Sequence, residues 1–153
     1  MAIAAAPLTM KPPRLKGLSQ KLLESHYENN YGGAVRRLNA IDDQLKDFDF
    51  VKAPGFEING LKREQLVAAD SVILHEIYFD SLGGAGGDPK HADLAAAMAR
   101  DFSSLDLWRA EFVAMAKALG GGSGWVLLCW SERLGRLVNQ WGADHAHGLA
   151  SAV

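Results

Sequence analysis

His75 sits in "VILHEIYFDSLGGAGGDP", residues 72–89, among Val72, Ile73, Leu74, Ile77, Tyr78, Phe79 and Leu82. An imidazole on such an apolar stripe is withdrawn from water and needs a partner for each ring nitrogen. A backbone carbonyl, a carboxylate or a metal would serve. His26 stands in a similar place in "SQKLLESHYENNYGGAVRRLNAIDDQLKDF". Helical spacing puts it on one face with Leu22, Leu23, Asn30, Gly33 and Ala34. One loop joins the two helical stretches, so an antiparallel pair would bring both imidazoles to one point between them. That point is either the start of a metal site or a pair of carbonyl-bonded core histidines. Two imidazoles fall short of the three protein ligands that a catalytic metal usually has. Further donors lie in "ADHAHG", residues 143–148, which holds Asp144, His145 and His147. His91, in the polar "DPKHAD" stretch, reads as a surface residue, and Cys129, in an apolar strand, as core packing.

Neither glycine cluster makes a phosphate cradle. "GGAGGDPK" lacks the Gly-Lys-Ser/Thr ending of a P-loop and follows a helix rather than a strand. "GGGSGW" has Trp125 where a nucleophile elbow needs its last glycine. Both are turns that let the backbone pack closely.

The elements that must position the histidines follow from the pattern. Pro7, Pro12 and Pro13 keep residues 1–17 out of regular structure, as a disordered or extended arm. Ser19 caps a first long helix, whose Arg36, Arg37, Asp43 and Lys46 read as solvated. Gly32 and Gly33 inside it cost about 1 kcal/mol each against Ala, so either something approaches closely there or the helix bends. "KAPGFEING", residues 52–60, reads as a loop, and a second helix runs from Lys62 to Leu82. "HADLAAAMARDF" and "SSLDLWRAEFVAMAKAL" are two more helices, the latter capped by Ser103 or Ser104. "WVLLCW" and "RLVNQW" form two strands joined by a turn around residues 131–135. The fold class is α+β: an arm over 1–17, a helical hairpin over 18–84 and a partial α/β region with a small antiparallel sheet over 88–153.

Composition narrows the classes. The formal net charge of −2 and the absence of a dense Lys/Arg run exclude a nucleic-acid binder driven by bulk charge. A single cysteine allows no intrachain disulfide, which suits a reducing, cytoplasmic setting. No stretch reaches the roughly 18 apolar residues of a membrane span, and the start lacks the basic region of a signal peptide.

From about Leu18 onward the chain resembles the iron/manganese superoxide dismutases. His26-Tyr27 with "AVRRLNA" is similar to the family's first-helix histidine and its "VNNLN" pattern, and "VILHEIYFDSLGGAGGDP" to its "WNHxFYWxxL…GGxP" stretch. "RDFSSLDLWRAEFVAMAKALGGGSGWVLL" resembles the family's "FGSFxxFKxxF…GSGWxWL" segment. The resemblance implies that His26 and His75 are metal ligands and that Trp125 lines the metal pocket. It also implies Fe or Mn as cofactor, superoxide as substrate, dioxygen and hydrogen peroxide as products, and a homodimer in a full-length form. Zinc is excluded because it cannot change oxidation state.

Several positions depart from the family pattern. Asn30 and Ala34 stand where the family usually has a histidine and a tyrosine guarding access for substrate and protons. The iron branch's glutamine falls on Ser71, which is too short to reach as far. Counting from the turn at Gly135, the manganese branch's glutamine falls on His145. The resemblance therefore makes His145 a group hydrogen-bonded to metal-bound solvent, with a ligand role as the alternative. The family's "Asp-x-Trp-Glu-His-Ala-Tyr" motif, which carries two further ligands, does not occur in the sequence. The expectation is a dismutase lacking that C-terminal segment. Asp144 and His147 are possible substitutes, and a catalytically inactive metal-binding remnant is the competing reading.

Overall fold

The computed structural model describes residues 2–12, 15–84, 86–120 and 122–148. The chain divides into two units, Met1–Gly84 with Gly148–Val153, and Ala85–His147.

The first unit is a helical hairpin. Ser19 caps α1 (Gln20–Ser25), its hydroxyl accepting from the Leu22 N–H at 3.1 Å, as its residue type predicts. The helix then passes without a break through a π-helical turn, His26–Tyr31, into α2 (Gly32–Lys46). The glycine pair expected to mark a bend therefore marks the exit of this turn. A Cβ on Gly32 would meet Arg36 Nη1 at 3.2 Å and the Tyr27 carbonyl at 3.5 Å, so the close approach there is real but modest.

The π turn corrects the helical face expected from sequence. A π turn carries one more residue than an α turn and rotates everything after it. Asn30 consequently lies exposed, and Tyr31 takes the inner position at 1% exposure. Leu22, also expected inside, is 53% exposed, whereas its neighbour Leu23 is fully buried.

The returning helix, α3, is Gly55–Ser81, beginning seven residues before the expected start. Residues 55–60 are helix rather than loop. Pro54 stands at the N-cap, and its carbonyl accepts from Glu57 N–H at 3.0 Å and Ile58 N–H at 3.3 Å. Two glycines make "GFEING" look like a loop locally. Their cost is carried by continuity with a long, well-packed helix. Tyr31, Ala34 and Val35 pack with Val72 and Phe79 between the helices, with Leu8, Met10, Tyr27, Leu38, Tyr78 and Leu82 around them. Ile77, expected within the stripe, is 52% exposed. The described residues of the arm form no α-helix or strand but are tied to the hairpin by hydrogen bonds at Ile3, Ala6 and Thr9.

The second unit holds α4 (Ala92–Phe102), α5 (Leu105–Ala118) and the strands β1 (Trp125–Ser131) and β2 (Arg136–Gly142). Of the two serines between the helices, Ser104 caps α5 by accepting from Leu107 N–H, while Ser103 closes α4 in the left-handed region at φ 69°. The strands pair antiparallel from Trp125↔Gly142 to Ser131↔Arg136, around a turn completed by Gly135 at φ 60°. Among the described residues the sheet is two-stranded. Asp101 joins helix to sheet: its carboxylate accepts from Leu137 N–H at 2.7 Å and from Arg100 through two guanidinium nitrogens at 2.6 and 2.7 Å. Among the described residues no helix is long and apolar enough to cross a membrane.

Candidate metal centre

The two partners that His75 requires are both present. Its Nδ1 lies 2.7 Å from the carbonyl of Ser71, one turn earlier on α3, with Ser71 Oγ at 3.3 Å. A carbonyl only accepts, so Nδ1 carries the proton and Nε2 presents its lone pair. That lone pair faces His26 Nε2 at 3.1 Å, across 49 residues of chain. Ser71 thus contributes to this centre through its backbone, whatever the length of its side chain.

The pair has the spacing of metal ligands, and His75 is in the ligating tautomer. Two imidazole nitrogens about 2.1 Å from one ion and at right angles to each other are about 3.0 Å apart. Burial holds His75 below the usual histidine range, although the Ser71 carbonyl opposes this; burial and the neighbouring His75 do the same to His26. Both rings are therefore neutral near pH 7, as ligation requires. With His75 as acceptor, His26 Nε2–H donates to His75 Nε2, and ligation through His26 Nε2 would require that proton to move to Nδ1. Aromatic rings enclose the pair. Tyr78 and Phe79 lie 5.2 and 5.4 Å from His26, and Tyr31 is stacked against His75 at 6.3 Å between centroids. Among the described residues, however, no group of three or more His, Cys, Asp or Glu side chains is gathered where it could hold an ion. The residues present fit a metal as part of a donor set.

In the second unit Trp125 Nε1–H donates to His145 Nδ1 at 2.8 Å. This bond fixes the tautomer: Nδ1 is the acceptor, so the proton sits on Nε2. A neutral histidine ligating through Nε2 would need its proton on Nδ1, where the indole N–H now points. In this tautomer His145 presents an N–H at Nε2. Asp144 Oδ1 accepts from Ala146 N–H at 2.7 Å and pairs with His147 Nδ1 at 2.9 Å, and both side chains are roughly half-exposed. His91 is exposed as expected, 4.0 Å from Asp93. Cys129 is partly buried, and burial pushes its thiol up, away from the reactive thiolate.

Sequence reasoning missed Tyr31 and Glu76. Tyr31 Oη donates to Glu76 Oε1 at 2.7 Å, beside the ligand candidate His75. On an ordinary helix Tyr31 lies about 140° around from His26, five residues at about 100° each. Only the π turn brings it inward. The signal in the sequence is slight: a histidine and a tyrosine at π spacing, followed by a glycine pair.

Residues 89–152 match the family described as iron/manganese superoxide dismutases, C-terminal domain. The chain is 62% identical over 147 residues to a superoxide dismutase [Fe] of Cupriavidus metallidurans, covering 96% of this chain and 74% of that relative. It is 32% identical to a superoxide dismutase [Fe] of Aquifex aeolicus, covering 94% and 69% of the two chains. A superoxide dismutase [Mn] 2 of Haloferax volcanii is 30% identical over 80% of this chain and 59% of its own.

Proposed function

The chain belongs to the iron/manganese superoxide dismutase family, and from that premise we propose that it is an oxidoreductase converting superoxide to dioxygen and hydrogen peroxide. The observation that carries the reading is the convergence of His26 and His75 at 3.1 Å, with the far nitrogen of His75 fixed on a carbonyl. A bound Fe or Mn would supply one-electron chemistry, and His26 and His75 would hold it. The Ser71 carbonyl keeps His75 in the ligating tautomer, and the rings of Tyr78 and Phe79 keep bulk water from the pair.

The remaining assignments are part of the same proposal. His145 is a hydrogen-bond donor through Nε2, its orientation fixed by Trp125. Asn30, exposed on the π turn, replaces the family's usual gateway histidine at the entrance for substrate and protons. The reading also takes the protein as a cytoplasmic antioxidant enzyme that is a homodimer in its full-length form, with residues 1–17, 18–84 and 88–153 as arm, hairpin and α/β regions.

The test is superoxide decay measured on the purified protein loaded separately with Fe and with Mn. Turnover with either metal, lost in His75→Ala, is expected. Metal retained without turnover would favour the inactive metal-binding remnant instead.

A further inference from the structure

The two hydroxyls of the π turn's tyrosines hold the backbone of the same residue, Ala6. Tyr27 Oη donates to the Ala6 carbonyl at 2.7 Å, and Ala6 N–H donates to Tyr31 Oη at 2.6 Å. Tyr27 directly follows His26, and Tyr31 ends the turn. Tyr31 Oη then donates to Glu76, next to His75. One phenol thus joins three pieces of chain: the arm, the turn that carries His26 and the residue after His75.

The arm is anchored on both sides of Ala6. Asn39 holds the backbone of Ile3 on both sides of its Cα, accepting from its N–H and donating to its carbonyl, each at 2.9 Å. Thr9 Oγ1 donates to Asp80 Oδ1 at 3.3 Å, and Leu8 and Met10 pack on the core cluster. A π turn is rare and persists where its surroundings specify it. Here its outer contacts come from the arm.

We propose that the N-terminal arm is a clasp on the π turn: through Ala6 it fixes Tyr27 and Tyr31, and so holds His26 where its Nε2 meets that of His75. Tyr31 is the positioning residue through which the clasp acts. The purpose assigned to it rests on the metal-centre reading, while its geometry does not. Burial, with the Glu76 carboxylate adding and the Ala6 N–H opposing, pushes the Tyr31 phenol up to about 12, so it remains a donor at any ordinary pH.

Two variants of the full chain test this. Ala6→Pro removes one N–H from the clasp, and Tyr31→Phe removes the phenol. Amide hydrogen exchange is read in the metal-free proteins at residues 26–31 and, for reference, at residues 65–75 of α3. Affinity for Co2+ alone is read in the same samples by visible absorption. The clasp predicts exchange at 26–31 faster by about tenfold, with 65–75 little changed, because one hydrogen bond is lost locally. It predicts Co2+ affinity weaker by about tenfold. The double variant should be no worse than Tyr31→Phe alone. Unchanged exchange at 26–31, or an equal rise across both helices, would overturn the clasp. A loosened turn with undiminished Co2+ affinity would overturn the positioning role. Should Tyr31→Phe not fold, Ala6→Pro alone decides. Selective loosening in a protein whose parent binds no Co2+ would uphold the clasp and sink the metal-centre reading.

Discussion

In the helical unit, His26 and His75 meet across 49 residues of chain among aromatic rings, and His75 is only 4% exposed. In the α/β unit, Trp125 and His145 are 20 residues apart, Asp144 and His147 only three, and all four are at least partly open to solvent. The cores differ in the same direction. Among the described residues, Met98 is the one buried apolar side chain of the second unit, and the others all belong to the first. Polar groups that meet through tertiary packing are protected from protons and held by the whole fold. Groups close together in sequence and open to solvent lack that protection. A redox metal needs such protection for its ligands, and a solvent-facing proton donor can work without it.

Core truncation should show the contrast most strongly. Leu23→Ala, at a side chain 1% exposed, is expected to destabilise the hairpin by about 2–5 kcal/mol in denaturant unfolding followed by far-UV circular dichroism. Leu134→Ala, 58% exposed in the β-turn, should stay within about 0.5 kcal/mol of the parent. Equal effects would erase the distinction between the units.

The same contrast, on a smaller scale, applies to hydrogen bonds. Tyr31→Phe strands Ala6 N–H and a Glu76 oxygen in a part-buried place, at a cost of about 1–3 kcal/mol. Trp125→Phe removes the indole N–H bond to His145, for about 1 kcal/mol. A larger loss at Trp125 would mean that the loop after β2 is better supported than its exposure implies.

How legible each unit was in the sequence follows from what kind of contact builds it. The caps at Ser19 and Ser104, the hairpin of long helices and the two strands rest on side-chain type and period, which a sequence displays. So does the convergence of His26 and His75, once both are placed on facing apolar stripes. The inward turn of Tyr31 in place of Asn30 does not, because a π turn changes the period within a single turn of helix. The start of α3 at Gly55 was hidden by glycines whose local preference is overridden by the rest of the helix. The clasp at Ala6 left no trace at all, since it uses a backbone N–H and carbonyl, a pair that every residue but proline carries.

Acid should separate the units with the gentlest effect. The neutral forms of His26 and His75 are favoured by folding, so the unfolded chain binds more protons as pH falls through about 6.5. Stability of the metal-free hairpin is therefore full above that pH and declines below it. In the other unit Asp101 is held at about 2 by Arg100 and by Leu137 N–H. Its contribution is present above the unfolded value of about 3.9 and is lost as pH falls through about 2. Trp108, Trp125, Trp130 and Trp141 all lie in the α/β unit, so tryptophan emission follows that unit alone. Amide signals of residues 65–75 should weaken first as pH is lowered, before tryptophan emission changes, and Asp101→Asn should abolish the later step.

The central claim is that the metal is held at the junction of the two long helices. It is tested most directly by adding Mn2+ in small increments to the protein with 15N-labelled histidines and following the five imidazoles. Paramagnetic broadening reports proximity to the ion. The signals of His26 and His75 should vanish at the lowest Mn2+ ratios, with that of His91 persisting. Loss of the His147 signal while His26 and His75 stay sharp would place the ion in the loop after β2 and contradict the account.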